Sequence, residues 1–235
     1  MISEYRAEIA ELVCIILGDG HIHKKGEKKY TNSEVRVSLN GVKEKEYVKY
    51  VKGLIERIFK TVPKEYPRKG SDGIDIRLYG IKYVKFFLER GIFTGNKKYN
   101  QVRVPNWIKS EKIFVIKGLK GLFDTDGSVY VATRDKTIHL NFRNASKPLA
   151  KDFKDMCSLL DIRTGKVGFN TSRKNNKDSK GYFVQIQSRS NVKKFLEIIQ
   201  PERWHNHKKD INRKLSQLGT SIKDALVDSR KKQNY

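Results

Sequence analysis

The sequence predicts an α+β fold made twice, with the order αββαββα in each half. Three observations lead there: a motif that occurs two times, weaker echoes at nearly the same spacing, and period-2 strands flanked by helical stripes. The motif is LVCIILGDG at residues 12–20 and LKGLFDTDG at 119–127. Adding 107 places Leu12 on Leu119, Cys14 on Gly121, Gly18 on Thr125, Asp19 on Asp126 and Gly20 on Gly127. Phe87-Leu88-Glu89 returns as Phe195-Leu196-Glu197 at an offset of 108, and Lys97-Lys98 as Lys208-Lys209 at 111. Spacing this steady indicates an internal duplication. It divides the chain into 1–108, with a linker from about residue 91 (Gly91 to Trp107), and 109–235.

Each half opens with an apolar helix that runs into Asp-Gly, and the glycine lets the chain leave in a left-handed or extended turn. Two strands follow. Val35, Val37 and Leu39 alternate with Arg36, Ser38 and Asn40, the signature of a sheet with one dry face. In the second half Leu140 and Phe142 alternate with His139, Asn141 and Arg143. Helical stripes come next: Tyr47, Val51, Leu54, Ile55 and Ile58, then Phe153, Met156, Leu159 and Leu160. A second strand pair places Ile74, Ile76 and Leu78 inward, with Asp75, Arg77 and Tyr79 outward. Its counterpart alternates Val184 and Ile186 with Gln185, Gln187 and Arg189. Tyr83, Phe86 and Phe87 open a further helix, and residues 204–235 form a basic tail with helical spacing at Ile211, Leu215, Leu218 and Ile222.

The charge narrows the function. Lys plus Arg number 50 against 26 Asp plus Glu, a formal net charge of +24 in 235 residues. Such an excess points to a polyanionic partner, nucleic acid before acidic membrane. The longest apolar runs, such as Cys14-Ile15-Ile16-Leu17, fall far short of the roughly 18 residues a membrane span needs. No secretory signal is expected at the N-terminus, and two cysteines without CxxC spacing fit a reducing compartment, so the expected location is cytoplasmic and nucleoid-associated.

Small residues four apart, Cys14 and Gly18 or Gly121 and Thr125, suit two helices packed at close approach, which offsets the helical cost of glycine. Packed so, their C-terminal ends bring Asp19 and Asp126 together. Two carboxylates held close repel unless one is protonated or a divalent cation lies between them.

These paired motifs resemble those of the LAGLIDADG homing endonucleases in their monomeric, two-motif form. The resemblance covers essentially residues 5–209. It implies two antiparallel sheets shaped as a saddle over double-stranded DNA, with strand residues in the major groove: Arg36, Ser38, Arg77, Tyr79, His139, Asn141, Arg143, Gln185, Gln187 and Arg189. It implies that Asp19 and Asp126, with Gly18 and Thr125 beside them, hold Mg²⁺ or another divalent cation such as Mn²⁺ at the scissile phosphates. The stretch Lys98 to Pro105 also matches, which makes Lys98 the lysine of the active-site water network and Lys209 its second-half counterpart. Asn40 and Asn144, where relatives often have glutamine, would order the attacking water. One departure stands out: the motif's earlier aspartate is Asp124 in the second copy but Leu17 in the first.

The activity so implied is a free-standing, intron-encoded, monomeric endonuclease making a staggered double-strand break at a long target. An RNA maturase that binds intron RNA, and a DNA-binding regulator that does not cut, would use the same basic surface. His205-Asn206-His207 spells another nuclease signature without its ββα-metal context. His21 and His23 lack zinc-ligand partners and suit the surface or the DNA backbone, while Cys14 and Cys157 suit burial.

Overall fold

A computed structural model of the chain describes residues 2–24, 26, 32–95, 101–174 and 177–227. The first half runs α1 (Ile2–Asp19), β1 (Gly20–His23), β2 (Glu34–Asn40), α2 (Lys45–Phe59), β3 (Lys64–Pro67), β4 (Gly73–Tyr79) and α3 (Ile81–Leu88). After a short 3-10 helix, Asn106–Lys109, the order returns: α4 (Lys112–Asp126), β5 (Gly127–Ala132), β6 (Thr137–Asn144), α5 (Lys147–Leu159), β7 (Gly168–Lys174), β8 (Lys177–Ile186) and α6 (Arg189–Ile199). Two further helices follow, α7 (Glu202–Gln217) and α8 (Ile222–Leu226). Both sheets are antiparallel and four-stranded, with strand orders β1-β2-β4-β3 and β5-β6-β8-β7. The duplication therefore holds at the level of topology.

Each sheet has one dry face. Val35, Val37, Leu39, Ile76 and Leu78 are buried against Val51, Leu54, Ile58 and Phe87 of α2 and α3. In the second half Ile138, Leu140, Phe142, Val184 and Ile186 meet Phe153, Met156, Phe195 and Ile199. Phe142 and Phe153 stack with ring centroids 4.3 Å apart, an aromatic pair worth about 1 kcal/mol beyond its buried area. Helix starts are fixed locally, since Ser146 and Ser188 cap α5 and α6 by accepting from Leu149 N and Asn191 N.

The motif helices α1 and α4 pack directly on each other. A Cβ on Gly121 would lie 2.4 Å from the Glu11 carbonyl oxygen and 3.0 Å from Cys14 Cβ. One on Gly18 would strike Thr125 Oγ1 at 2.0 Å. The small residues at these positions are thus a steric requirement of the helix pair. Gly127 leaves α4 in extended conformation, with φ −84° and ψ 156°, so its glycine is not needed for a left-handed turn. What it lacks matters instead, because a Cβ there would sit 2.3 Å from the Phe123 carbonyl oxygen.

The part of the connection between the halves from Val102 to Lys109 is anchored. Val102, Val104 and Ile108 are buried, and the Asp152 carboxylate of α5 accepts from Val104 N at 2.8 Å and Lys109 Nζ at 2.9 Å. Residues 202–226 are largely helical and docked, with Ile211, Leu215 and Ala225 buried while Leu218 and Ile222 are only partly covered. Two residues depart from the periodic reading. Leu159, expected on the buried stripe of α5, is exposed, because the helix ends there and Leu160 and Ile162 take the core positions. Arg189, expected on a strand, is the first residue of α6, because Ser188 caps that helix and ends the extended run. Among the described residues, no helix is long and apolar enough to cross a membrane.

Candidate nucleic-acid interface and acidic site

Asp19 and Asp126 are the last residues of α1 and α4, each half-buried where its helix gives way to a strand. The Asp126 carboxylate lies against the other motif: its Oδ2 is 3.1 Å from where Gly18 would carry a Cβ, one residue before Asp19. That oxygen also accepts from Asn144 Nδ2 at 2.8 Å, while Asn144 Oδ1 accepts from Ser146 N at 2.8 Å. Asn144 is therefore held at both ends of its amide and fixes the rotation of the Asp126 carboxylate. Asn40 makes the matching turn in the first half, where its Oδ1 accepts from Val42 N and Lys43 N at 3.0 and 2.8 Å.

The earlier aspartate has a different place. Asp124 is buried, and its carboxylate accepts from Glu202 N and Arg203 N, both at 3.0 Å, so it caps the N-terminus of α7. Leu17, at the equivalent position, is core. Burial pushes the Asp124 carboxyl up to about 7, against the pull of the two backbone N–H groups and Lys120. An acid whose folded value is raised binds more protons folded than unfolded between about pH 4 and 7. Stability contributed here must therefore fall as pH rises through that window. The difference of about three units corresponds to at most on the order of 4 kcal/mol. We expect the melting temperature to drop between pH 4.5 and 7.5 and Asp124→Asn to flatten that drop; parallel profiles for the two proteins would refute it.

Arg203 joins the halves at this point. Its Nη1 donates to the carbonyl oxygens of Asp124 and Thr125, at 2.6 and 3.2 Å, and its Nη2 pairs with Glu44, the residue that precedes α2. Neither Arg203 nor Glu44 carries a local sequence signal, because they are 159 positions apart and meet only when the halves pack. Lys209, six residues further along α7, is exposed. Lys98 lies outside the described residues, as do His205 and Asn206 in their side chains.

The polar faces of the sheets carry most of the remaining residues. On the first, Arg36 stands opposite Arg77, Ser38 opposite Asp75 and Glu34 opposite Tyr79. Arg36 and Arg77 are not simple solvent-facing charges, for both lie in an ion-pair network with Asp75 and Glu34. Ser38 Oγ donates to Asp75 Oδ1 at 2.9 Å, and Tyr79 is about one-third exposed at the sheet's far end. On the second face Asn141 stands opposite Gln185, and Tyr130 opposite His139 with ring centroids 5.4 Å apart. Desolvation lowers the His139 pKa, although Asp135 acts against it. Arg143 lies beneath Gly181, whose Cβ would be 2.8 Å from its Nε. Gln187 falls just past the end of β8 and donates from Nε2 to Gln185 Oε1 at 3.1 Å. Arg189 points away from the strand run and donates to the carbonyl oxygens of Val227 and Asp135. His21 pairs with Arg36 across β1 and β2, while His23 is buried. Arg68, which sequence periodicity did not single out, reaches this face from the turn after β3 and donates to Asp75 and Ser38.

The acidic site can be judged against a divalent cation from its donors. Two half-buried carboxylates from adjoining helix ends suit magnesium, which takes one or two protein carboxylates and completes its shell with water and phosphate oxygens. The Thr125 carbonyl already accepts from Arg203. Among the described residues, no group of three His, Cys, Asp or Glu side chains could make a closed all-protein metal site.

Comparison with known proteins places this geometry. The model of the LAGLIDADG-like domain matches residues 114–200. An uncharacterised protein of Methanocaldococcus jannaschii is 26% identical over 205 residues, which cover 86% of this chain and 22% of that protein. The replication factor C small subunit of the same organism is 29% identical over 201 residues, covering 84% and 10%. The tRNA-splicing ligase RtcB of Methanopyrus kandleri is 24% identical over 202 residues, covering 80% and 20%. The chain thus spans about a fifth or less of two of these relatives and little more of the third. Among solved structures, variants of the homing endonuclease I-DmoI align over 84% of this chain and 98% of theirs, with a TM-score of 0.59 at 17% identity. I-DmoI in complex with DNA and Mn aligns over 83% and 97%, at 0.57 and 17%. The N-terminal LAGLIDADG domain of WhiA aligns over 88% and 87%, at 0.52 and 17%. Residues 114–200 thus match the LAGLIDADG-like domain, and the chain as a whole has the duplicated fold of the single-chain homing endonucleases.

Proposed function

We propose that the chain is a site-specific, divalent-metal-dependent DNA endonuclease that acts as a monomer on double-stranded DNA. The observation that carries this reading is the end of the helix pair: Asp19 and Asp126 close two helices in backbone contact, and Asp126 rests on the residue before Asp19. A net charge of +24 supports a duplex partner. Recurrence of the same unit of some 200 residues inside longer proteins named for replication and for RNA ligation supports a mobile gene. In these relatives the unit is embedded in a longer chain, which favours an inserted module over the free-standing, intron-encoded form.

Asp19 and Asp126 would hold a divalent cation, which would supply positive charge at the scissile phosphate and the developing oxyanions. The chain's own residues do the rest. Asn144 holds the Asp126 carboxylate in one rotamer, and the Arg203 guanidinium fixes the last carbonyls of α4 against Glu44 of the first half. Lys98 and Lys209 are proposed as the basic groups of the water network, with Asn40 orienting water on the first-half side.

The test is a supercoiled plasmid carrying the uninterrupted host gene, incubated with Mg²⁺ or with EDTA. Linear product only with metal supports the nuclease. Binding without any cutting would favour a non-cleaving DNA-binding protein, a reading supported by the fold likeness to WhiA. In either case binding must be strongly salt-dependent, since each neutralised phosphate contributes a slope of about −0.9 in log K against log salt. A slope shallower than about −3 between 50 and 200 mM salt would contradict a duplex laid across both sheets.

A further inference from the structure

The two polar faces share a topology and differ in chemistry. On the first, Asp75 is almost wholly buried and holds a set of guanidinium groups. Its Oδ1 accepts from Arg68 Nε at 2.9 Å, Arg68 Nη2 at 2.6 Å and Ser38 Oγ at 2.9 Å. Its Oδ2 accepts from Arg77 Nη2 at 2.8 Å and lies 3.8 Å from Arg36 Nη1. Glu34 takes a second edge of Arg77 at 3.4 Å, and the Arg77 guanidinium lies 5.0 Å from the centre of the Tyr66 ring. A guanidinium has five N–H donors, so one or two bonds to a carboxylate orient it and leave an edge for a ligand. Arg68 is 45% exposed, and Arg36 and Arg77 about a quarter.

Among the residues whose side chains are described, the second face is built mainly from neutral groups where β5, β6 and β8 meet. Gln187 donates to Gln185, Gln185 donates from Nε2 to Tyr130 Oη at 3.1 Å, and Asn141 stands beside Gln185 across the strands. Thr137 and His139 extend the row, with Oγ1 and Nε2 at 3.1 Å. An arginine among the described residues, Arg143, sits near the end of β6 next to Asn144, close to the acidic site.

We infer that the DNA target is polarised in base composition, with guanines in the arm under the first sheet and adenines in the arm under the second. This rests on the DNA-binding reading above. Arginine presents two parallel donors that match guanine O6 and N7, whereas glutamine and asparagine present the donor and acceptor that match adenine N7 and N6. Asp75 is a positioning residue in this arrangement: buried at the base of three arginines, it sets the directions in which Arg36, Arg68 and Arg77 face the groove.

The test selects bound duplexes from a library with a randomised stretch of 24 base pairs, in EDTA, and sequences them. The expected consensus is asymmetric, with guanine on one strand of one arm and adenine in the other. Asp75→Asn keeps the side-chain volume and is expected to reduce guanine enrichment in the first arm by about 5-fold or more, the lower end of one bidentate contact. The adenine arm should be unchanged, and affinity for an unselected duplex equal or higher, since one negative charge is removed. Arg68→Ala, on an exposed turn, should relax a single guanine position. Arms of equal composition, or an Asp75→Asn consensus weakened equally in both arms, would overturn the inference. Failure to enrich any duplex, with no salt-dependent binding, would overturn the DNA-binding reading itself.

Discussion

Asp126→Asn is expected to abolish double-strand cutting, lowering the rate by about 10³-fold or more, which corresponds to about 4 kcal/mol of transition-state stabilisation. The amide keeps the shape of the side chain and can still meet Asn144, so the end of α4 and the sheet above it stay in place. What is removed is half of the negative charge that would hold a cation at the phosphate. Asp19→Asn should have the same effect through the other motif. The measurement is linear product from a supercoiled target plasmid, with duplex affinity followed separately by electrophoretic shift. Affinity within about threefold of the parent, together with absent linear product, is the expected result, and robust cutting by either variant would refute the assignment of the acids.

Gly121→Leu is expected to cost about 3 kcal/mol or more in folding stability, at the upper end of overpacking effects. The added Cβ alone meets backbone, the Glu11 carbonyl oxygen at 2.4 Å and Ile15 N at 3.1 Å, so α1 must move as a body to admit it. That movement would also separate Asp126 from Gly18, and cutting should fall together with stability. Gly53→Ala in α2 is the opposite case. Its new methyl would meet only the flexible end of Arg57 at 3.4 Å, so the helical cost of glycine is recovered and stability should rise by about 0.5–1 kcal/mol. Urea denaturation midpoints measure both, and equal effects of the two substitutions would show that the α1–α4 contact is looser than described.

The sequence by itself determined the architecture and the place of the paired acids. Period-2 and helical patterns are properties of neighbouring residues, so strands at Val35–Leu39 or Ile138–Phe142, and helices ending at Asp19 and Asp126, are written locally. Glycine at 121 announced close approach, because only a helix in contact with another backbone needs a missing side chain there. Tertiary structure alone decided the rest. Asp75 looked like one more outward strand residue, yet three arginines from two strands and a turn close over it. Arg189 continued an apparent strand alternation, and the cap formed by Ser188 made it the start of a helix. Asp124 matched a motif position, but its partner is the first turn of α7, 78 and 79 residues away. Arg203 had no motif at all. Ion pairs and caps between distant segments depend on which surfaces meet after the core closes, and one-dimensional spacing does not encode that meeting. Hydrophobic periodicity survives in the linear chain because burial is imposed element by element.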